Sequence, residues 1–229
     1  MANHVFYHVY IIDNNYKLWL DEQLGRLSSG TMLEDVSVNV SVSFRDDNTY
    51  TLLQQQVRDY IMDRYGFCNI VNYSIQPAIK CVNEGVTLNI VHQHAKNNPE
   101  DNIMYMHTKS IVKPVTDTIQ FPFNNTGPRL YSWRQQMQDV CIGKYTQCIE
   151  QLQNHDAVGI RWHQHPHPHF SGNFWWATAR WVGSLEEPIN VRRYRRWGKF
   201  SNEFWIAGHR WKGPGYSDIT LGQPKIKRM

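Results

Sequence analysis

The 229-residue chain predicts an α/β fold with one central, mainly parallel β-sheet flanked by helices. Three observations predict it. Runs of β-branched and aromatic residues alternate with segments of helical spacing through the first half of the chain, the signature of strand–helix–strand units. One short run, Ile103 to Met106, is apolar throughout, as a strand covered on both faces must be. Clusters of Asp, Asn, Ser and Gly separate the runs.

Each element follows in order. His4 to Ile12 (HVFYHVYII) is the first strand, ended by Asp13-Asn14-Asn15. Leu18 to Leu27 places apolar residues at helical spacing and stops at Ser28-Ser29-Gly30. Val36 to Phe44 alternates Val with small polar residues and reads as the second strand. Asp46-Asp47-Asn48 caps a helix over Thr49 to Tyr65, ended by Gly66. Cys68 to Tyr73 is a short strand, Glu84 to Asn97 a further helix, and Ile103 to Met106 the buried strand. Lys113 to Pro128, with three Pro and a Gly, reads as a loop. Tyr131 to Leu152 reads as one long amphipathic helix and Ala157 to Trp162 as a strand. A His/Pro segment, the stretch His169 to Trp181 and a basic, aromatic C-terminal region follow.

Composition narrows the class. With 41% hydrophobic and 19% charged residues, the chain reads as a globular single domain over residues 1–229. The net charge of +4 admits an anionic ligand without demanding a nucleic acid. Cys68, Cys81, Cys141 and Cys148 form no CxxC pair, which excludes zinc-ribbon and thioredoxin-type motifs and suits buried thiols in a reducing compartment. No apolar run has the ~18–20 residues of a membrane span. The first strand lacks the basic start and cleavage site of a signal peptide, so a cytoplasmic protein is expected. The Asn39, Asn72 and Asn124 sequons are then incidental.

Two motifs carry the chemistry. In Tyr105-Met106-His107-Thr108-Lys109-Ser110, a buried strand ends in an imidazole, a hydroxyl and a cation. Ligands of parallel α/β sheets bind at that end, and these groups suit a diphosphate. The plainer alternative is a strand end with a solvated Lys. In His169-Phe170-Ser171-Gly172-Asn173-Phe174-Trp175-Trp176-Ala177, Gly172 permits close backbone approach. His169, Ser171 and Asn173 supply donors and acceptors for a hydroxyl-rich ligand, and Trp175 and Trp176 supply stacking area. The plainer alternative is a helix start, capped by Ser171 or Asn173, with the tryptophans in the core.

YMHTKS, the Trp133-Arg134 pair and HFSGNFWWA, in this order and spacing, resemble a family of small glycosyltransferases from large DNA viruses of algae and amoebae and from bacterial polysaccharide clusters. That family includes the N-terminal glycosyltransferase domain of a chlorovirus capsid-glycan enzyme. The strand ending His8-Val9-Tyr10, Glu22-Gln23 and Ser29-Gly30 fit as well, and the resemblance runs from about His4 to Trp211.

The resemblance implies a GT-A-type, Rossmann-like fold. It further implies transfer of a hexose or deoxyhexose, with retention, from a nucleotide diphosphate sugar of the UDP type to a glycan or glycoprotein acceptor. If viral, the protein would act in the host cytoplasm. The donor-binding half would span about 1–112 and the acceptor and catalytic half about 129–215. Tyr10, His107, Thr108, Lys109, Arg134 and Lys212 would bind the nucleotide sugar. His169, Ser171, Gly172, Trp175 and Trp176 would bind the sugar or acceptor, and Asn173 and Glu203 would serve catalysis. Glu203 follows HFSGNFWW at about the interval where retaining members carry their carboxylate, suited to an oxocarbenium-like state. An inverting enzyme would instead need a base for the acceptor hydroxyl. The plainer alternative is a helix-start Glu paired with Arg192, Arg193, Arg195 or Arg196. Gly208 to Gly215 resembles the family's His…Lys element, so His209, with His107, would hold a divalent cation (Mn or Mg) and Lys212 the leaving diphosphate. The chain has Ser110 where the family has Gly, and no Asp-x-Asp, which leaves the cation requirement open.

His163-Gln164-His165-Pro166-His167-Pro168-His169 suggests zinc. Alternate residues of an extended chain stand about 6.6–7 Å apart, however, and the prolines scatter the rings. A loop at the acceptor mouth is the expectation. Two other classes stay open. A non-catalytic saccharide-binding module would need the tryptophans but not Lys109, Arg134 or Glu203. A nucleic-acid-binding protein would use Arg192 to Arg196 with Tyr194 and Trp197.

Overall fold

The computed structural model describes residues 1–75, 84–108, 126–188, 201–207, 216–220 and 223–226. It is α/β, as expected. An eight-stranded, mostly parallel sheet runs in the order β10-β9-β5-β8-β4-β1-β2-β3. Its strands are β1 Asn3–Ile11, β2 Val36–Phe44, β3 Cys68–Ile75, β4 Asn102–His107, β5 Ala157–Gly159, β8 Trp175–Thr178, β9 Tyr216–Thr220 and β10 Gln223–Ile226. A second, two-stranded sheet pairs β6 Trp162–His163 with β7 His169–Phe170. The helices are α1 Tyr16–Ser28, α2 Met32–Asp35, α3 Asp47–Arg64, α4 Gly85–Asn97, α5 Thr126–Cys141, α6 Tyr145–Gln151, α7 Ala179–Ser184 and α8 Ser201–Trp205.

Alternation along the strands builds two cores. Val5, Tyr7, Val9 and Ile11 of β1 face one way and pack with Leu20 and Leu24 of α1, Leu53 and Val57 of α3 and Met137 of α5. Phe6 of β1 faces the other way, with Ile103 and Tyr105 of β4, and packs with Leu88 and Val91 of α4, Val182 of α7 and Trp205 of α8. The β4 residues Asn102–His107 are all buried, as a two-faced central strand requires. Asp46 caps α3 by accepting from the Thr49 N–H at 2.8 Å, the role its position predicts.

Two expectations need correction. The long helix over Tyr131 to Leu152 is two helices, broken at Ile142-Gly143-Lys144. The Gly143 N–H reaches back to Gln138 O at 3.0 Å, a C-terminal closure that ends α5. A Cβ on Gly143 would lie 2.7 Å from Asp139 O, so this turn has no room for a side chain. The strand over Ala157 to Trp162 also divides into β5 and β6, because Arg161 turns the chain at φ 55. Its guanidinium donates to Gln136 Oε1 at 2.9 Å, which anchors the turn on α5.

The topology fixes where a ligand belongs. β2 and β3 lie to one side of β1 and β4 to the other, so strand order reverses between β1 and β4. A crevice opens outside the carboxyl ends of strands at such a point. β8 runs antiparallel to β4, with Tyr105 opposite Trp175. The start of β8, and the turn before it, therefore stand at the end of β4.

Candidate functional site at the carboxyl ends of the strands

On the face covered by α4, the strands change character toward their carboxyl ends. β1 reads Phe6, His8, Tyr10 and β4 reads Ile103, Tyr105, His107. The apolar core thus gives way to a polar pole where β1 and β4 end.

The end of β4 is held firmly. The Thr108 N–H donates to His8 O at 2.9 Å, and Thr108 Oγ1 accepts from the Tyr10 N–H at 3.0 Å. Gln23 of α1 donates from Nε2 to His107 O at 3.2 Å and accepts from the Tyr7 hydroxyl at 2.5 Å. Burial raises the pKa of the Tyr10 phenol, so its hydroxyl is a neutral donor.

The Ser171-Gly172-Asn173 turn meets this end directly. The Asn173 N–H closes the turn onto Phe170 O at 3.0 Å. Gly172 takes φ 96 and Asn173 φ 56; Gly and Asn are the residues that tolerate such angles. A Cβ on Gly172 would overlap Met137 Sδ and lie 3.2 Å from Trp133 Cζ2. His107 Nε2 donates to Gly172 O at 3.0 Å; a carbonyl only accepts, so Nε2 carries the proton. Strand end and turn, 65 residues apart in sequence, are joined.

Two carboxylates flank the turn. Glu84, just before α4, accepts from Asn173 Nδ2 at 2.7 Å and from the Tyr105 hydroxyl at 3.3 Å. Its Oε1 lies 3.4 Å from His107 Nδ1. Glu203 of α8 reaches the Gly172 N–H through Oε2 at 3.4 Å. Beneath them His8 is fully buried. Its Nδ1 pairs with Thr87 Oγ1 at 2.8 Å, while Nε2 has no hydrogen-bond partner. Burial lowers the His8 pKa to about 4, with Glu84 opposing and His107 adding to the shift, so the ring is neutral.

The expected residues are placed unevenly. Tyr10, His107, Thr108, Gly172, Asn173 and Glu203 converge at this pole. Ser171 belongs to the same turn, its N–H donating to Arg161 O at 3.1 Å. His169 is buried beside it in β7, its ring 5.1 Å from that of Phe204. It stacks at 5.5 Å on His163 across the β6–β7 pair, so the His/Pro segment forms a hairpin edge. Lys109, His209, Lys212 and Arg192 to Arg196 lie outside the described residues.

Two expectations change. Trp175 and Trp176 offer no stacking face, because β8 is an interior strand and both rings are wholly buried. Alternation sends them to opposite cores, where Trp175 Nε1 donates to Asn173 Oδ1 at 2.9 Å and Trp176 Nε1 to Cys141 O at 2.8 Å. Arg134 is buried and forks onto Glu22, at 2.7 Å from each nitrogen, with its guanidinium 4.6 Å from the Trp19 ring centroid. It clamps α5 to α1. His107 donates from Nε2 to Gly172 O, and its Nδ1 stands 3.4 Å from Glu84 Oε1.

Glu84 and His8 were missed by the sequence reading. A lone Glu before a helix reads as a charge favouring the helix dipole, and His8 as one more strand residue. The register of β1 with β4 sets His8 beside His107, and the packing of α4 on the sheet brings Glu84 to the same place.

Cys68, Cys141 and Cys148 are free and buried, as expected, and Cys81 lies outside the described residues. Among the described residues no helix is long and apolar enough to cross a membrane. A cleft of about 530 Å³ opens between α1 and α5, lined among others by Glu22, Arg26, Gln138 and Tyr145. Residues 6–197 match a family described as Domain of unknown function (DUF8361). The comparison with curated proteins gives no match.

Proposed function

The chain belongs to the DUF8361 family, and from the polar end of its sheet we propose that it is a glycosyltransferase of the GT-A type. It moves a hexose or deoxyhexose from a nucleotide diphosphate sugar, of the UDP type, to a glycan acceptor. The observation that carries the reading is the 3.0 Å bond between His107 Nε2 and Gly172 O. It brings the strand end that would face a diphosphate against the turn that would face a sugar, with Glu203 on the same glycine.

In this reading the diphosphate lies along the ends of β1 and β4. Tyr10 and Thr108 provide hydroxyls there, and Lys109 a cation next in sequence. The C1–O bond to the diphosphate breaks, its electron pair leaving with the phosphate. A bond from C1 to the acceptor oxygen forms on the same face, and the acceptor proton passes to the departing phosphate oxygen. Glu203 stabilises the positive charge that develops at C1. Asn173, expected to serve catalysis, is wholly buried and held by Glu84 and Trp175, so with Glu84 it is a positioning residue that fixes the turn. Lys212 balances charge on the leaving group.

No step here passes through a divalent cation (Mn or Mg): His107 Nε2 is held by Gly172 O, and His209 lies outside the described residues. The burial of both tryptophans removes their faces from sugar binding in this reading and in that of a saccharide-binding module alike.

The test is incubation with a panel of UDP- and GDP-sugars, with and without manganese, while following nucleotide diphosphate release. Slow donor hydrolysis, lowered roughly 100-fold or more in Glu203→Gln, is expected. Binding to free oligosaccharide with no response to any nucleotide sugar would favour the binding module. Salt-sensitive binding to oligonucleotides alone would favour the nucleic-acid reading.

A further inference from the structure

A second cluster of ligating side chains lies at the opposite pole, where β1 and β4 begin. His4 opens β1, His94 stands in the last turn of α4, and Asp101 immediately precedes β4. His4 Nε2 lies 3.2 Å and His94 Nε2 3.4 Å from the same oxygen, Asp101 Oδ2. The three ligand atoms all fall within 4.8 Å of one another.

These separations are long for charge-assisted hydrogen bonds, which close to about 2.7–2.9 Å. His94 Nε2 is buried and meets the carboxylate it points toward only at the long distance of 3.4 Å. They match the edge of a coordination tetrahedron instead. Ligands held about 2.0–2.1 Å from a zinc ion at tetrahedral angles stand about 3.3–3.4 Å apart.

The surroundings orient the set. Asp101 Oδ1 is taken by the Ala2 N–H at 2.8 Å, which turns Oδ2 toward the two imidazoles. The Phe6 ring meets the edge of the His94 ring at 5.2 Å and gives the site an apolar wall. His94 Nδ1 lies 3.5 Å from the Asn98 amide nitrogen, at the limit of a hydrogen bond, so its tautomer is free to adapt. Asp101 also lines an open cleft of about 490 Å³.

We propose that His4 Nε2, His94 Nε2 and Asp101 Oδ2 form a tetrahedral site for a divalent transition metal of the zinc class, with water as fourth ligand. The metal would pin the first strand to the end of α4 and the start of β4. It is structural, and it is independent of the glycosyltransferase reading.

The test uses the metal-free, untagged full chain titrated with Co²⁺, followed by displacement with Zn²⁺. Wild type is expected to give the intense visible bands of a tetrahedral cobalt centre at one equivalent, bleached by zinc, with a higher Tm in zinc. Second-shell changes alone cost about 10–100-fold in metal affinity, so loss of two ligands in His4→Gln/His94→Gln should cost roughly 100-fold or more. His4→Gln alone, at the edge of the fold, should abolish the tetrahedral spectrum even if the double variant does not fold. The triple change His163→Gln/His165→Gln/His167→Gln should leave the spectrum intact. No tetrahedral spectrum in wild type, or one undiminished in His4→Gln, would overturn the proposal.

Discussion

His107 and Gly172 meet at 3.0 Å, and that contact makes one pole out of two segments distant in sequence. Asn173, the next residue, is wholly buried and uses both ends of its amide, donating to Glu84 and accepting from Trp175 Nε1. Asn173→Gly keeps a backbone that accepts φ 56 but strands the Trp175 N–H. It should cost about 1–3 kcal/mol. Asn173→Asp retains the acceptor yet sets a second carboxylate against Glu84, and should cost more. Urea denaturation of the three proteins checks the order; wild-type stability in Asn173→Gly would refute the role given to this side chain.

Gly172 carries two separate constraints, its φ of 96 and the absence of space beside Met137. Gly172→Ala should destabilise by about 2–4 kcal/mol, from backbone strain together with overpacking. Adding Met137→Ala removes the overlap but not the strain. The pair should therefore lose less than the sum of the two single changes, by a non-additive margin that a double-mutant cycle in urea measures.

The buried His8 makes stability depend on pH. Its native pKa is about 4, against 6.5 for the exposed ring. Above pH 6.5 both states hold the neutral ring and no dependence arises. Between pH 6.5 and about 4 the unfolded chain takes the proton and the native chain does not. Stability therefore falls with falling pH, by about 3 kcal/mol over the whole window. His92, its pKa also lowered by burial, shares the window, so the decisive quantity is the difference between wild type and His8→Asn. Asn keeps a partner for Thr87 without titrating, and its urea midpoints from pH 7 to 4 should show a shallower slope. An identical slope would count against the buried neutral ring.

Trp175 and Trp176 should behave as core residues. Trp175→Phe strands Asn173 Oδ1 and Trp176→Phe strands the Cys141 carbonyl, and each leaves a void in a packed core. A loss of about 2–4 kcal/mol apiece is expected in thermal or urea unfolding. Unchanged stability with weakened saccharide binding would reverse this assignment.

Much of the parallel half was legible because its strands obey simple alternation. Val36 to Phe44 was bounded correctly, and Ile103 to Met106 announced a buried strand by its lack of polar residues. The second half was harder for physical reasons. Trp175-Trp176-Ala177 is continuous apolar sequence, which suits a buried strand and a buried helix equally well, and its antiparallel direction has no local signature. The break between α5 and α6 rests on one glycine inside an otherwise helical pattern. At the site, His107, Gly172 and Asn173 stood out by motif. Glu84 acquires its role only once α4 is laid on the sheet, and the His4–His94–Asp101 group draws on three elements that no spacing connects.

The most direct measurement of the central claim is the place where a nucleotide sugar binds. Hydrogen exchange of backbone amides, followed with and without saturating UDP-sugar, reads that place residue by residue. The account predicts slowed exchange at the ends of β1 and β4, around Tyr10 and Thr108, and in the Ser171–Asn173 turn, with none at the start of β1. Binding without protection there, or protection confined to the cleft between α1 and α5, would contradict it.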